Sequence, residues 1–496
     1  MFSRILNFLL SQSKHRKQKP RHEAEPQVQV PLSLGTILHE FHDCTDLSRR
    51  SLPLLQADLI YFDHLIDKVS FERDVLRPME SITAEKLNYV LLQSNFRKVE
   101  DAKAVVRGIL EGFVAVFVPQ GVYMVLAFGP EARPIESSQT ESVIIGPHDA
   151  FVESLNTNLS IIRRKIKSNR LKVLHFEIGE VFKTSVSVLY IDGLANSEFV
   201  NCMTERIRNI EYSGIFDGAM LVQMIDDYPN SLFPLFLTSE RPDMILSKLG
   251  EGKVITILDQ SPSVIVGPIS FFEFFTSPDD YYNRWAVGTF LRLLRYFAFF
   301  ITISLTSLYV SVTTYHYEMI PQNLLASLTE SRSHVPFPPI FEALLMEATI
   351  ELLREAGARL PSKIGQTIGI VGGIVIGTAA VEAGFTSNIL IISVAMSAIA
   401  SFVIPSYTMS GSIRLIRFGL ILLSGMLGNF GFAAGISLII IHMSKLTSLG
   451  APYTIPASPV KPSDWKDIFI RGPFWMLKQR PTQSKTPNRN YNKMKK

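Results

Sequence analysis

The chain has 496 residues, 47% of them hydrophobic, and its 49 basic and 45 acidic residues leave a formal net charge of +4. Two cysteines, Cys44 and Cys202, exclude a disulfide framework beyond a single bridge and point to a reducing compartment. Charge is unevenly placed, with 30 basic and 36 acidic residues before Trp285 against 19 and 9 after it, so the basicity gives no argument for nucleic acid. A positive excess on an apolar half is what loops facing an anionic cytoplasmic leaflet carry.

The opening MFSRILNFLL runs directly into KHRKQKPRH without a small-residue cleavage site. Residues 1–33 therefore read as a basic disordered tail rather than a secretory signal, with a surface anchor to anionic lipid as the alternative. Three prolines between 20 and 31 make the linker.

From 34 to 285 the pattern switches between helix and strand periods. Phe151, Leu155, Leu159, Ile162 and Ile166 step by three and four, which predicts an amphipathic helix. Short β-branched runs predict strands at 112–119, 122–128, 186–193, 253–259 and 263–268, the first two forming a hairpin. So long a stretch exceeds the common single-domain size, which predicts two α/β subdomains, 34–145 and 146–285. Gly129, Pro130, Pro134, Gly146 and Pro147 punctuate the junction.

Asp192 and Asp259 end apolar strands and Asp226-Asp227 is a carboxylate pair, yet such aspartates are more often turn formers or helix caps. No nucleophile elbow, HExxH, dinucleotide fingerprint or spaced Cys/His set is present, and His175 stands alone. No catalytic residue, cofactor or metal site is expected.

Residues 286–447 are largely apolar and predict an all-α polytopic membrane domain of four to six spans. A first span covers 296–312, with Arg284, Arg292 and Arg295 at its cytoplasmic end. A charged helix follows at 339–355, then apolar tracts at 364–384, 388–405 and 414–446. The last is too long for one straight crossing, and Gly425, Gly428, Gly431 and Gly435 permit a break. Counting six spans puts Arg354, Arg359 and Lys363 in one cytoplasmic loop, Arg414 and Arg417 in another, and both termini inside, with 448–496 as a cytoplasmic basic tail.

Two features of this half point to function. Gly365, Gly369, Gly373 and Gly377 fall on one helical stripe where another backbone can approach, the usual means of helix association in lipid, so the chain is expected to oligomerise. The alternative for this stretch is a glycine-rich loop, but no Walker lysine follows. Glu347, Glu351 and Glu355 share nearly one helical face, with Glu342 rotated by roughly 140° from Glu347 at ~100° per residue. Ionised groups at membrane depth do not face lipid, which makes Glu342, Glu347 and Glu351 candidates for lining a cation path. The competing reading is an interfacial helix whose acids are neutralised by Arg354 and Arg359.

The blocks PFPPIFEALLMEATIELLREAGARLP, IGIVGGIVIGTAAVEAG, SLGAPYTIPASP and Arg480-Pro481 resemble the A subunit of the GerA-type spore germinant receptors. GPHDAFVESLNTNLSIIRRKIKSNRL, LTSERPDMILSKLGEGKVITILDQSPSVIVGP and SPDDYY match the same family upstream, so the resemblance covers roughly 100 to 481. It implies a multi-pass protein of the spore inner membrane with its N-terminal region on the core side. It further implies partnership with a transporter-like B subunit and a lipoprotein C subunit, and a nutrient-gated ion channel built by oligomerisation. A paralogue that amplifies the germination signal without its own sensor, a secondary transporter and a membrane-anchored enzyme are the alternatives.

Overall fold

The computed structural model describes residues 32–82, 86–129, 141, 145–359, 373, 375–492 and 494. Residues 1–31 of the expected tail, Pro130 and Pro134 of the junction, Lys363, and Gly365 and Gly369 of the stripe lie outside the described residues. The chain forms an α/β N-terminal region with two sheets, followed by a helical C-terminal region.

The first sheet follows helix α1 (Leu34–Glu40) and contains β1 (Leu47–Leu52), β2 (Ala57–Phe62) and β3 (Phe96–Val99). Helix α2 (Ala102–Leu110), β4 (Phe113–Val118) and β5 (Gly121–Leu126) complete it, in the antiparallel order β1-β2-β4-β5-β3. The expected hairpin is β4-β5, with Val118 opposite Gly121. The second sheet begins after helix α3 (Leu155–Lys165) with β6 (Leu171–Ile178) and β7 (Thr184–Ile191). Helices α4 (Ser197–Arg208) and α5 (Gly218–Ile225) then lead to β8 (Leu237–Ser239), α6 (Pro242–Gly250), β9 (Val254–Leu258) and β10 (Val264–Gly267). Its order, β6-β7-β9-β10-β8, has the connectivity of the first, so the region is an internal structural repeat.

The repeat extends to backbone detail. In each unit the helix before the final hairpin ends in Glu-Gly, with φ of +86° at Gly112 and +85° at Gly252. Only glycine takes this conformation without strain. A Cβ at Gly112 would press on the Leu65 carbonyl at 3.2 Å, and one at Gly252 on that of Leu194 at 2.7 Å.

The two units are bound by charge. Arg163 of α3 is buried and reaches Asp46 of the first unit at 2.9 Å through both Nε and Nη2. Residues 43–45 pair with β6 through Val173. His64 lies beside this pair, its Nε2 3.8 Å from Asp46 Oδ2 without a hydrogen bond, and burial pushes its pKa down to about 4.

The tempting aspartates are structural. Asp259 Oδ1 accepts the Leu155 amide at the start of α3 (3.0 Å), and Asp227 pairs with Arg206 while accepting the Thr447 hydroxyl. The Asp192 carbonyl is held by Arg170, and His175 Nδ1 shares a hydrogen bond with the Ser187 hydroxyl on the neighbouring strand.

The second region comprises α7 (Trp285–Tyr315), α8 (Gln322–Arg332), α9 (Pro339–Ala358), helical residues 375–382, α10 (Asn388–Phe402) and α11 (Tyr407–Lys445). By length and composition α7 and α11 are apolar enough to cross a membrane. At Gly428 the backbone leaves the helix (φ 62°, ψ −142°) and α11 folds into a hairpin. Gly431 lies against the Leu423 carbonyl and Gly435 against Leu420, fifteen residues earlier. A straight helix would hold that last pair roughly 22 Å apart. At the end of α7 far from the sheets the Tyr315 hydroxyl donates to the Gly425 and Met426 carbonyls beside the turn of α11. At that far end the Asn388 amide also meets Ser331, and Phe385 stacks on Phe337.

Several charges expected before or between spans are inside helices. Arg292 and Arg295 belong to α7, where both meet the fully buried Asp280 at 3.0 and 2.8 Å. Arg354 lies in α9, and Arg414 and Arg417 in α11. The segment after 447 is also not a free tail. Ser448 and Tyr453 pack on the second sheet, and Lys253 Nζ, fully buried, meets Gln483 Oε1, the Pro268 carbonyl and Glu273 Oε1. Burial raises the Glu273 carboxyl, but Lys248 and Lys253 outweigh it and hold the pKa at about 2.

Two measurements probe this fold. Replacing Gly428 by Ala forces a side chain into a glycine-only backbone region and against Tyr315 at 3.1 Å, which is expected to cost ~1–3 kcal/mol in thermal unfolding. Gly419→Ala, where a Cβ meets nothing within 4 Å among the described residues, is expected to be neutral. The second concerns His64, whose folded pKa near 4 lies below the unfolded value of 6.5. As pH falls through that window the unfolded chain binds the proton first, so stability drops. His64→Gln is expected to remove up to about 3 kcal/mol of that pH dependence, read as unfolding temperature against pH.

Candidate functional site

The acids of α9 lead into a charged cluster enclosed by apolar helices. Glu347, fully buried, lies 2.6 Å from Nη2 of the equally buried Arg417, and its Oε1 accepts the Thr306 hydroxyl at 2.9 Å. Arg417 Nη1 donates to Ser397 Oγ (2.7 Å), and Ser397 in turn donates to the Thr302 carbonyl (3.1 Å). One turn further along α9, Glu351 takes Arg414 Nη1 at 2.7 Å and Arg417 Nη2 at 3.3 Å. Arg354 lies 3.5 Å from the same carboxylate and donates to Ser401 Oγ at 2.8 Å, its guanidinium 4.6 Å from the Phe402 ring centre.

Periodicity explains why these groups meet. Glu347 and Glu351 are four residues apart on α9 and Arg414 and Arg417 three apart on α11, so each pair occupies one helical face. Beside them α7 presents Thr302, Thr306, Ser307 and Ser311, all fully buried, a hydroxyl seam with Ser311 bonded to Asn429 Oδ1 at 2.6 Å. Among the described residues, Arg417 Nε and Ser424 Oγ in this interior make no hydrogen bond. Chemically the cluster is an electrostatic lock that carries a positive residue, since three guanidinium groups face two carboxylates.

The candidate residues divide. Glu347 and Glu351 join the cluster, whereas Glu342 sits nearer the far end with Arg332 at 3.2 Å and the Ser387 amide at 3.2 Å. Glu355 pairs with Arg359 at 2.6 Å on the surface, as the neutralised-helix reading anticipates for this residue. The main partners of Glu347 and Glu351 are Arg417 and Arg414, which the charge rule for loops had assigned elsewhere. The signal for them is the sequence SIRLIRFGLILL, where two arginines interrupt an apolar run.

Of the glycine stripe, Gly373 and Gly377 are described. Among the described residues a Cβ on Gly373 would meet nothing within 4 Å, and one on Gly377 would meet only Ile391, at 3.9 Å.

The cluster sits in a helical region with two helices apolar enough to cross a membrane, behind a duplicated α/β region. The family profile described as Bacillus/Clostridium GerA spore germination protein matches residues 35–483. This chain belongs to that family. It is 41% identical to spore germination protein GerQA of Bacillus cereus over 86% of this chain and 87% of the relative. It is 38% identical to spore germination protein A1 of Bacillus subtilis (strain 168) over 92% and 96%, and 38% identical to the uncharacterized membrane protein YfkQ of that organism over 84% and 80%. The crystal structure of the N-terminal domain of the A subunit of the Bacillus megaterium spore germinant receptor GerK3 aligns with 48% of this chain and 94% of its own, at 22% identity and a TM-score of 0.37.

If the cluster is a lock, removing one partner leaves a buried charge. Glu347→Gln is expected to cost about 3–5 kcal/mol and lower protein abundance, because Arg417 stays charged and enclosed. Glu347→Gln combined with Arg417→Gln is expected to recover most of that loss in a thermal unfolding series. The exposed pair, in Glu355→Gln, is expected to change stability by no more than ~1 kcal/mol.

Proposed function

We propose that this chain is the A subunit of a spore nutrient germinant receptor, seated in the spore inner membrane with its N-terminal region on the core side. It works beside a transporter-like B subunit and a lipoprotein C subunit, and copies of the chain assemble as a nutrient-gated ion channel. The observation that carries this reading is the polar seam of α7 joined to Glu347, Glu351, Arg414 and Arg417, inside helices whose composition suits lipid. Buried polar residues in such a setting are costly unless they pair or line a hydrated route.

In this reading the ion-paired arrangement is the closed state. Glu347 and Glu351 are held by arginines of α11, so the path has no free carboxylate. A shift of α9 against α11 frees them, and a ring of carboxylates from several copies then favours cations. Gly373, where a side chain would meet nothing within 4 Å among the described residues, lies on the surface where copies meet.

Potassium release from spores after nutrient addition tests this. Deleting the gene is expected to abolish release for the nutrient this receptor reads, and the wild-type gene to restore it. Gly373→Leu is expected to leave the subunit folded, since nothing described in the same chain opposes a side chain there, while reducing oligomer size in detergent and slowing release. Normal release in the deletion strain across nutrients overturns the receptor reading, and normal oligomers with Gly373→Leu overturn the packing surface.

A further inference from the structure

Helix α12 (Trp465–Ile468) and the turn Phe474–Met476 lie along the first turns of α7. The inner side of this segment is fastened. Thr289 Oγ1 donates to the Arg471 carbonyl at 3.1 Å, and the Tyr296 hydroxyl donates to that of Ile468 at 3.2 Å. The Phe469 ring packs against Tyr296 and Phe272 at 5.5 and 5.0 Å between centres. Arg471 is buried, its guanidinium 4.2 Å from the Phe474 ring.

The outer side is unlike a soluble surface. Trp465, Ile470, Phe474 and Met476 are each 44–49% exposed, and Lys466 and Lys478 stand exposed without an ion pair among the described residues, where with Met476 they edge a cleft that leads in toward Glu251 and Tyr281. On α7 itself Trp285 is exposed at the first turn, and Phe290 and Phe297 are exposed on a common flank. Contacts to Thr289 and Tyr296 set the segment over seven residues of α7, roughly 10 Å of axis, similar to the depth to which interfacial helices bury their apolar faces. Aromatic and aliphatic side chains flanked by lysines are the composition that rests at the headgroup level of an anionic leaflet.

We infer that residues 465–478 form an interfacial anchor that seats on an anionic lipid surface beside the entry of α7. This rests on the reading that α7 crosses the bilayer. The anchor ties the level of α7 in the membrane to the N-terminal region, because the same segment continues to Gln483, which is bonded to Lys253.

The test uses the full chain in vesicles of phosphatidylcholine and phosphatidylglycerol. Trp285→Phe and Trp475→Phe leave Trp465 as the single tryptophan. Its fluorescence is expected to be lost to lipids brominated near the headgroup more than to lipids brominated near the chain end, and to resist aqueous iodide. Phosphatidylglycerol is expected to increase that loss, and Lys466→Gln with Lys478→Gln to remove the increase. Free access of iodide overturns the anchor. Protection from both quenchers also overturns it, because a protein partner then covers the patch. A control with Phe300→Trp as the only tryptophan separates the two levels of the argument. Loss of its fluorescence to the deep quencher upholds the crossing by α7, and no loss removes that crossing and the anchor with it.

Discussion

An ionised carboxylate enclosed by apolar helices is tolerated only when a cation is brought to it, and that requirement decides which helices of this chain touch. Glu347 and Glu351 on α9 need partners, and α11 supplies Arg417 and Arg414. Once these are engaged, Ser397 of α10 and Thr306 of α7 fall within reach of the remaining polar atoms. Four helices distant in sequence are therefore held at one level by charge, where apolar packing alone would leave their register free to slide. A bundle built this way has few alternative arrangements, and a change at one member is felt by all.

The same logic operates where the bundle meets the sheets. Asp280 is enclosed with Arg292 and Arg295, and the aromatic rings of Phe271, Phe275, Tyr296 and Phe299 interlock around them. The apolar core of the second sheet runs on without interruption into Ile303, Met409, Ile413 and Leu420. Close-packed interiors transmit displacement rather than absorb it. A movement in the duplicated region thus has a direct mechanical route into α7 and α11. The first unit stands further off, joined to the second mainly through Asp46–Arg163 and the pairing at Val173.

Glycine serves two opposite purposes here. At Gly428, Gly431 and Gly435 it lets the chain turn and lets two limbs of one hairpin approach, so the absent side chain is used within the molecule. At Gly373 the absent side chain would meet nothing within 4 Å among the described residues. Periodicity makes these two uses look alike, since both place small residues on one helical stripe.

The sequence by itself determined the local events. Short β-branched runs specify β4, β5, β7, β9 and β10, the three-and-four spacing of Leu155, Leu159 and Ile162 specifies α3, and a tract too long for one crossing specifies a break in 414–446. Each of these depends on neighbours within a few residues. What only the tertiary structure decided depends on partners tens or hundreds of residues away. The duplication lies in connectivity and not in residue spacing. The segment after Lys445 is rich in charge, yet it folds because Lys253 and the second sheet offer it buried partners. Arg414 and Arg417 read as loop charges, since hydropathy assigns a lone cation a cost and cannot see the carboxylate across the bundle that removes it.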